Sequence, residues 1–278
     1  MPRTDWSRGI TWSVARTAIA IVWSACAASA QLAFPAGSGV IDVTAFGAVG
    51  DGMADDTAAL NDALAAPRPA GASAKIVYLP AGTYLISDTV AFPESRVVLQ
   101  GENEATTVIR LRDNRTDTGE GGDFTDPANA RVALSMRTAT GFSANQFISS
   151  IYDVTIDVGN QNAGAIGLKL HQNNTGGLRN VTVRSGDGAG LIGVELGGSD
   201  RGPGMVRSLT VEGFDTGIRV GGTEYSMVYE DLTLRDQNVV GINNTWDILT
   251  IRGLTSEISV PALRNNKATA NDFRWGMV

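Results

Sequence analysis

Two aspartates stand in turns one repeat apart, Asp187 in Gly186-Asp187-Gly188 and Asp215 in Gly213-Phe214-Asp215. Glycoside hydrolysis uses two carboxyls, about 5–5.5 Å apart for retention and about 6.5–9.5 Å for inversion. Both aspartates follow adjacent strands, so they can approach within one coil spacing and are the candidate catalytic pair. An Asp beside Gly is also the ordinary occupant of a turn, and both readings stand. The sole histidine, His171, precedes Gln172-Asn173-Asn174 and is either a general base beside a bound sugar or a polar turn residue. Arg184, Glu212 and Arg235, with Asp157 before them, recur at one position of a repeated segment. Stacked, they form either a polar groove that grips a sugar chain or a ladder of exposed pairs worth about 0–1 kcal/mol each. Asp157 and Glu212 make a poor acid–base couple, because Arg184 between them holds both ionised. Elimination would instead need a base such as Arg, Lys or Tyr, with Ca²⁺ to neutralise a uronate. The loop with Asp113, Asp117, Glu120, Asp123 and Asp126 offers hard oxygen ligands, though not at calcium-loop spacing. No resident metal site is predicted, and no cofactor is required unless that lyase route brings in Ca²⁺.

These residues must be placed by a repeat. The segment Ile151-Tyr152-Asp153-Val154-Thr155-Ile156-Asp157 returns as Leu178-Arg179-Asn180-Val181-Thr182-Val183-Arg184, as Val206-Arg207-Ser208-Leu209-Thr210-Val211-Glu212, and as Tyr229-Glu230-Asp231-Leu232-Thr233-Leu234-Arg235. A weaker copy, Trp246-Asp247-Ile248-Leu249-Thr250-Ile251-Arg252, aligns Thr250 with the other threonines. Apolar–Thr–apolar flanked by polar residues is the period-two pattern of a strand with one buried face. Unbroken alternation predicts three outward columns: Asp153 to Asp231, the threonines, and Asp157 to Arg252. A second phrase, Ile166-Gly167-Leu168-Lys169-Leu170, recurs around Gly193, Gly217 and Gly241. Two interleaved strands repeating every two dozen residues or so specify a solenoid. The Gly, Asn, Thr and Val content excludes helical and leucine-rich repeats, so the fold expected is all-β, a parallel β-helix.

The first thirty residues bring Arg3, Arg8 and Arg16, an apolar run over 17–28, and Ala28-Ser29-Ala30. That is the pattern of a secretory signal peptide cut after Ala30, with an apolar run too short for the roughly 20 residues of a membrane span. Residues 31–39 read as a linker and 40–278 as the β-helix domain. The product would be secreted or periplasmic and free of the membrane after cleavage. Cys26, the only cysteine, falls in the leader, so disulfides cannot brace the remainder. A net charge of −7 argues against nucleic acid and anionic membranes. It also disfavours a polyanionic glycan unless Ca²⁺ or a local arginine cluster intervenes.

The opening carries a recognisable pattern. Asp42-Val43, Phe46-Gly47-Ala48, Gly50-Asp51-Gly52 and Asp55-Asp56-Thr57 lead to Val77-Tyr78-Leu79-Pro80-Ala81-Gly82-Thr83-Tyr84-Leu85-Ile86. It resembles the opening of the pectate-lyase superfamily, and within it the rhamnogalacturonase/epimerase-like pectate-lyase module. The resemblance covers residues 40–110 specifically and the repeats generically. It implies a right-handed parallel β-helix, a polysaccharide partner and a glycosidase or lyase activity. Asp55 or Asp56 is expected to cap a short helix over 57–66 that buries Leu60, Ala63 and Leu64. The polygalacturonase-type motifs (Asn-Thr-Asp, Gly-His-Gly, Arg-Ile-Lys) are missing, which puts hydrolysis in doubt. Solenoids need capped ends, and none is evident near Val278. The expectation is a chain that continues further, or an oligomer that covers the last coil. The competing reading is a non-catalytic glycan-binding or structural module, such as the N-terminal half of a larger enzyme or a tailspike-like fibre.

Overall fold

The computed structural model describes residues 32, 34–35, 37–114, 123–136, 147–197, 202–221, 227–245 and 248–266, all in the unit that starts at Gln31. The expected leader at 1–30, residues 115–122 of the acidic loop, the Trp246-Asp247 pair and residues 267–278 lie outside them.

Two all-parallel sheets, of eleven and seven strands, wind as a parallel β-helix. The larger sheet folds over a corner. Its strands Ser150–Asp157, Asn173–Arg184, Gly202–Glu212, Met227–Arg235 and Leu249–Glu257 each turn the corner at a residue with positive φ. That residue is Asp153 (56°), Asn180 (51°), Ser208 (53°), Asp231 (54°) or Gly253 (74°). Earlier in the chain the two limbs are separate strands, Val97–Gly101 and Thr107–Leu111, and both pair with Ser150–Asp157.

The expected outward column from Asp153 to Asp231 is therefore a corner column. A left-handed residue turns the chain and restarts the alternation, and Asn, Asp and Gly tolerate that conformation best. Beyond the corner Val154, Val181, Leu209 and Leu232 point inward, at 0–1% exposure. Before it Ile151, Leu178, Val206 and Tyr229 do the same, at 0–2%. The weaker last copy is also shifted from its expected alignment. Thr255, not Thr250, pairs with Thr233, and Glu257, not Arg252, pairs with Arg235. Gly253 takes the corner there, and a bulky apolar pattern upstream of it had masked the phase.

The second phrase forms the smaller sheet, including Ala165–Lys169, Gly190–Gly197, Phe214–Gly221 and Val240–Asn244. Its glycine column has a steric cause. A Cβ on Gly193 would stand 2.2 Å from Val211 Cγ1 and 2.7 Å from the Gly217 carbonyl. At the N-terminal end the helix Thr57–Ala65 buries Leu60, Ala63 and Leu64 as expected. It stops where the residue before Pro67 must be extended. Asp55, not Asp56, caps it: Asp55 Oδ1 accepts from Thr57 N at 3.0 Å. The Asp56 carboxylate instead reaches back to Val49 N and Gly50 N at 2.6 and 3.1 Å. The family-like opening is thus a knot of turn and cap hydrogen bonds.

Candidate functional site

The expected catalytic aspartates are turn residues. Asp187 accepts from Gln161 N at 2.6 Å, Ala189 N at 3.1 Å and Ser185 Oγ at 3.3 Å. Asp215 accepts from Asn238 Nδ2 at 3.1 Å, and the same amide donates to the Gly188 carbonyl at 2.9 Å. Asn238 thereby ties the two turns together across neighbouring coils. His171 is buried, at 2% exposure. Arg184 Nε sits 2.9 Å from Asp157 Oδ2, and Arg235 Nε 2.8 Å from Glu257 Oε2. The Glu257 carboxylate, hydrogen-bonded to Arg235, holds that guanidinium's pKa up. Glu212 lies in register between the two arginines. In this column Arg184 and Arg235 are each engaged by a carboxylate one coil away.

The described ends of the acidic loop are committed elsewhere. Asp113 Oδ1 accepts from Arg110 at 2.7 Å and Asn160 N at 3.0 Å, and its Oδ2 from Asn160 Nδ2 at 2.8 Å. Asp126 caps the turn Pro127–Asn129 through Ala128 N and Asn129 Nδ2. These carboxylates do not converge, and among the described residues no group of three or more His, Cys, Asp or Glu is arranged to hold a metal ion. Asp117 and Glu120 lie outside the described residues.

A different face gathers chemistry. The limb before the corner stacks Asp42, Tyr78, Gln100, Tyr152, Arg179, Arg207, Glu230 and Arg252 in one outward column. Beside it runs a second outward column that includes Ile76, Val98, Met205 and Val228. Ile76, Met205 and Val228 are 40, 41 and 36% exposed. Two hollows of about 480 and 450 Å³ lie on this face, and Tyr152 and Arg179 line both. The Arg179 guanidinium stands 4.6 Å from the centre of the Tyr152 ring and 3.6 Å from Asp153. Such a cation–π contact fixes the aromatic plane while leaving guanidinium donors free. Glu230 lies 4.0 Å from both Arg207 and Arg252, too far to saturate either. An acidic chain thus presents three arginines on one wall of a groove and apolar side chains on the other.

This column is absent from the three that uninterrupted alternation predicts, because the corner residue restarts the alternation. The available signal was the position before each corner residue, occupied in turn by Tyr152, Arg179, Arg207, Glu230 and Arg252. Phe34, expected in a linker, meets Tyr78 edge-on at 4.7 Å and lines the smaller hollow. Tyr78 is 2% exposed; burial, then Glu102 and Asp42 nearby, pushes its phenol up to about 12. No partner meets hydrogen-bonding geometry at its hydroxyl, although Glu102 is close enough to act on it.

The chain was compared with known proteins. It is 33% identical over 161 residues to a non-secreted LysM effector of Penicillium expansum, covering 56% of this chain and 11% of that protein. It is 34% identical over 130 residues to mannuronan C5-epimerase AlgE3 of Azotobacter vinelandii, covering 45% and 6%. The chain therefore spans only a small part of the curated relatives it matches. Among solved structures, the catalytic unit of an α-1,3-glucanase from Streptomyces thermodiastaticus superposes with a TM-score of 0.54 at 19% identity, over 84% of this chain and 43% of that one. An N-terminal fragment of bacteriophage Phi29 gene product 12 gives 0.52 at 17%, over 81% and 43%. At these identities the two structures share the fold with this chain. The family pattern described as rhamnogalacturonase A/epimerase, pectate lyase-like matches residues 40–267, and the chain belongs to that family.

Proposed function

We propose that the chain binds an acidic polysaccharide along the groove of the first limb and performs uronate chemistry on it, β-elimination or C5 epimerisation, outside the cytoplasm. The observation that carries this reading is Tyr152 and Arg179, stacked on one another and shared by both hollows, with Arg207 on the next coil. Strands one coil apart repeat at about 4.8 Å, close to the rise of a sugar residue, so successive side chains can address one extended glycan. The apolar column receives C–H faces, and the guanidiniums pair with uronate carboxylates, a charge-assisted geometry that suits arginine. Neutralising that carboxylate makes the proton on the adjacent carbon easier to remove, and our reading assigns its removal to Tyr152; epimerisation returns a proton to the opposite face of that carbon, whereas elimination forms the C4–C5 double bond as the sugar linked through O4 leaves and takes up a proton. Hydrolysis is less well supported. It needs two free carboxyls about 5–9.5 Å apart, whereas Asp187 and Asp215 are turned to turn hydrogen bonds and stand across the second limb from the groove. Export rests on the leader pattern of residues 1–30, and the matched curated epimerase acts, by its name, on mannuronan.

A second reading, binding without turnover, is favoured by the same Tyr152–Arg179 stack, which is complete as a sugar platform with no further catalytic group. The test is to incubate the full chain with polymannuronate, polygalacturonate and a neutral glucan. Retention, unsaturated ends and changes in uronate configuration are then measured. The proposal expects retention of a polyuronate, with Arg207→Ala weakening it about tenfold, and product formation lost in Tyr152→Phe. Retention without product at any uronate selects the binding reading. No retention of either polyuronate overturns both.

A further inference from the structure

The two hollows differ in chemistry. The larger is walled by Pro203, Gly204 and Arg207 around the shared Tyr152 and Arg179. The smaller is walled by Leu32, Phe34, Val40, Ile76 and Val98, with Tyr78, Gln100 and Glu102 as polar members beside the shared Tyr152 and Arg179. The Phe34–Tyr78 edge contact and the ring of Tyr152 make the wall aromatic on two sides, a surround that favours a flat ring at offset or edge geometry. The Gln100 amide is already spent, donating to Gly101 O at 2.6 Å and Asp153 Oδ2 at 2.8 Å. No partner meets hydrogen-bonding geometry at the Tyr78 hydroxyl, with the Glu102 carboxylate its charged neighbour, and a buried polar group without a well-formed hydrogen bond costs free energy that a bound acceptor would recover.

We infer that the smaller hollow is a subsite for an aromatic acyl ester carried by the glycan, with the ring between Phe34 and Tyr152 and the ester carbonyl accepting from Tyr78. This rests on the groove being the glycan site and adds the decoration that the glycan bears. Because its phenol titrates near 12, Tyr78 stays protonated and remains a donor at any physiological pH. A flat ring in this hollow leaves the arginines free for the carboxylates of the same chain.

The test compares a hydroxycinnamoylated, uronate-containing polysaccharide with the same polymer after mild alkaline saponification, by calorimetric titration of the full chain. The esterified form is expected to bind about tenfold more tightly. That preference should vanish in Phe34→Ala and fall in Tyr78→Phe, a change that removes only that hydroxyl and leaves the fold intact by circular dichroism. Arg207→Ala should weaken both forms equally. Equal binding of the two forms by the unaltered chain, or a preference that survives both Phe34→Ala and Tyr78→Phe, overturns the subsite and leaves the groove standing. Binding of neither form sinks the groove itself.

Discussion

Single residues decide where each coil turns. Four of the five corner residues carry a side chain in the left-handed region, where a β-branched residue is badly accommodated. Ser208→Val should lower the unfolding free energy by about 1–3 kcal/mol, while Ser208→Gly should leave it unchanged or slightly raised; urea denaturation of both variants checks the pair. Charge also acts locally. For Asp55 burial alone would raise the pKa, but hydrogen bonds from Ser87 and Thr57 and the charge of Arg112 outweigh it and leave the carboxyl below its ordinary 3.8. A depressed carboxyl stabilises the fold above its unfolded pKa, and the contribution disappears as pH falls through the folded value. Melting temperature followed from about pH 6 to pH 2 should therefore drop below roughly pH 4, and less steeply in Asp55→Asn than in the unaltered chain. A parallel drop in both would remove Asp55 from the account.

At the scale of elements, the smaller sheet depends on having no side chain at one position per coil. Gly193→Ala forces Val211 and the Gly217 carbonyl apart, and overpacking of this kind costs about 1–3 kcal/mol. Lys75 performs the opposite service at the helix end. It is fully buried and its Nζ donates to the Leu64 and Ala66 carbonyls at 2.5 and 2.7 Å, with Glu94 at 2.9 Å. It thus satisfies carbonyls that the helix C-terminus leaves free and complements the helix dipole. Lys75→Met should destabilise by about 2–4 kcal/mol by stranding those carbonyls, and the loss should show first as faster amide exchange over residues 57–66. The elements themselves were largely legible, since apolar–Thr–apolar and the Gly167, Gly193, Gly217, Gly241 series each follow from a local rule of alternation or space. The corner was not, because Asp153 and Asn180 look like any other polar strand residue until stacking requires a turn there. Arg184 and Arg235, beyond the corner, lie outward as alternation expects, whereas the outward column through Tyr152 and Arg179 becomes visible only once the corner is known.

Over the whole solenoid the stacking converts a weak sequence signal into a surface. A position that reads Tyr, Arg, Arg, Glu, Arg down successive coils has no meaning in any single copy, yet stacked it is an arginine-rich wall on a chain of net charge −7. Outward charges elsewhere include paired sets, Lys169–Glu195–Arg219 on the smaller sheet and Asp157–Arg184 on the second limb. Salt screens exposed charges, so retention of a polyuronate at the arginines should weaken as ionic strength rises. The direct test of the groove is hydroxyl-radical footprinting of the full chain with and without a polyuronate oligosaccharide. Protection is expected at Tyr152 and Met205 on the first limb, with residues 232–235 of the second limb unchanged. Protection confined to the second limb, with Tyr152 and Met205 oxidised as in the free chain, would contradict it.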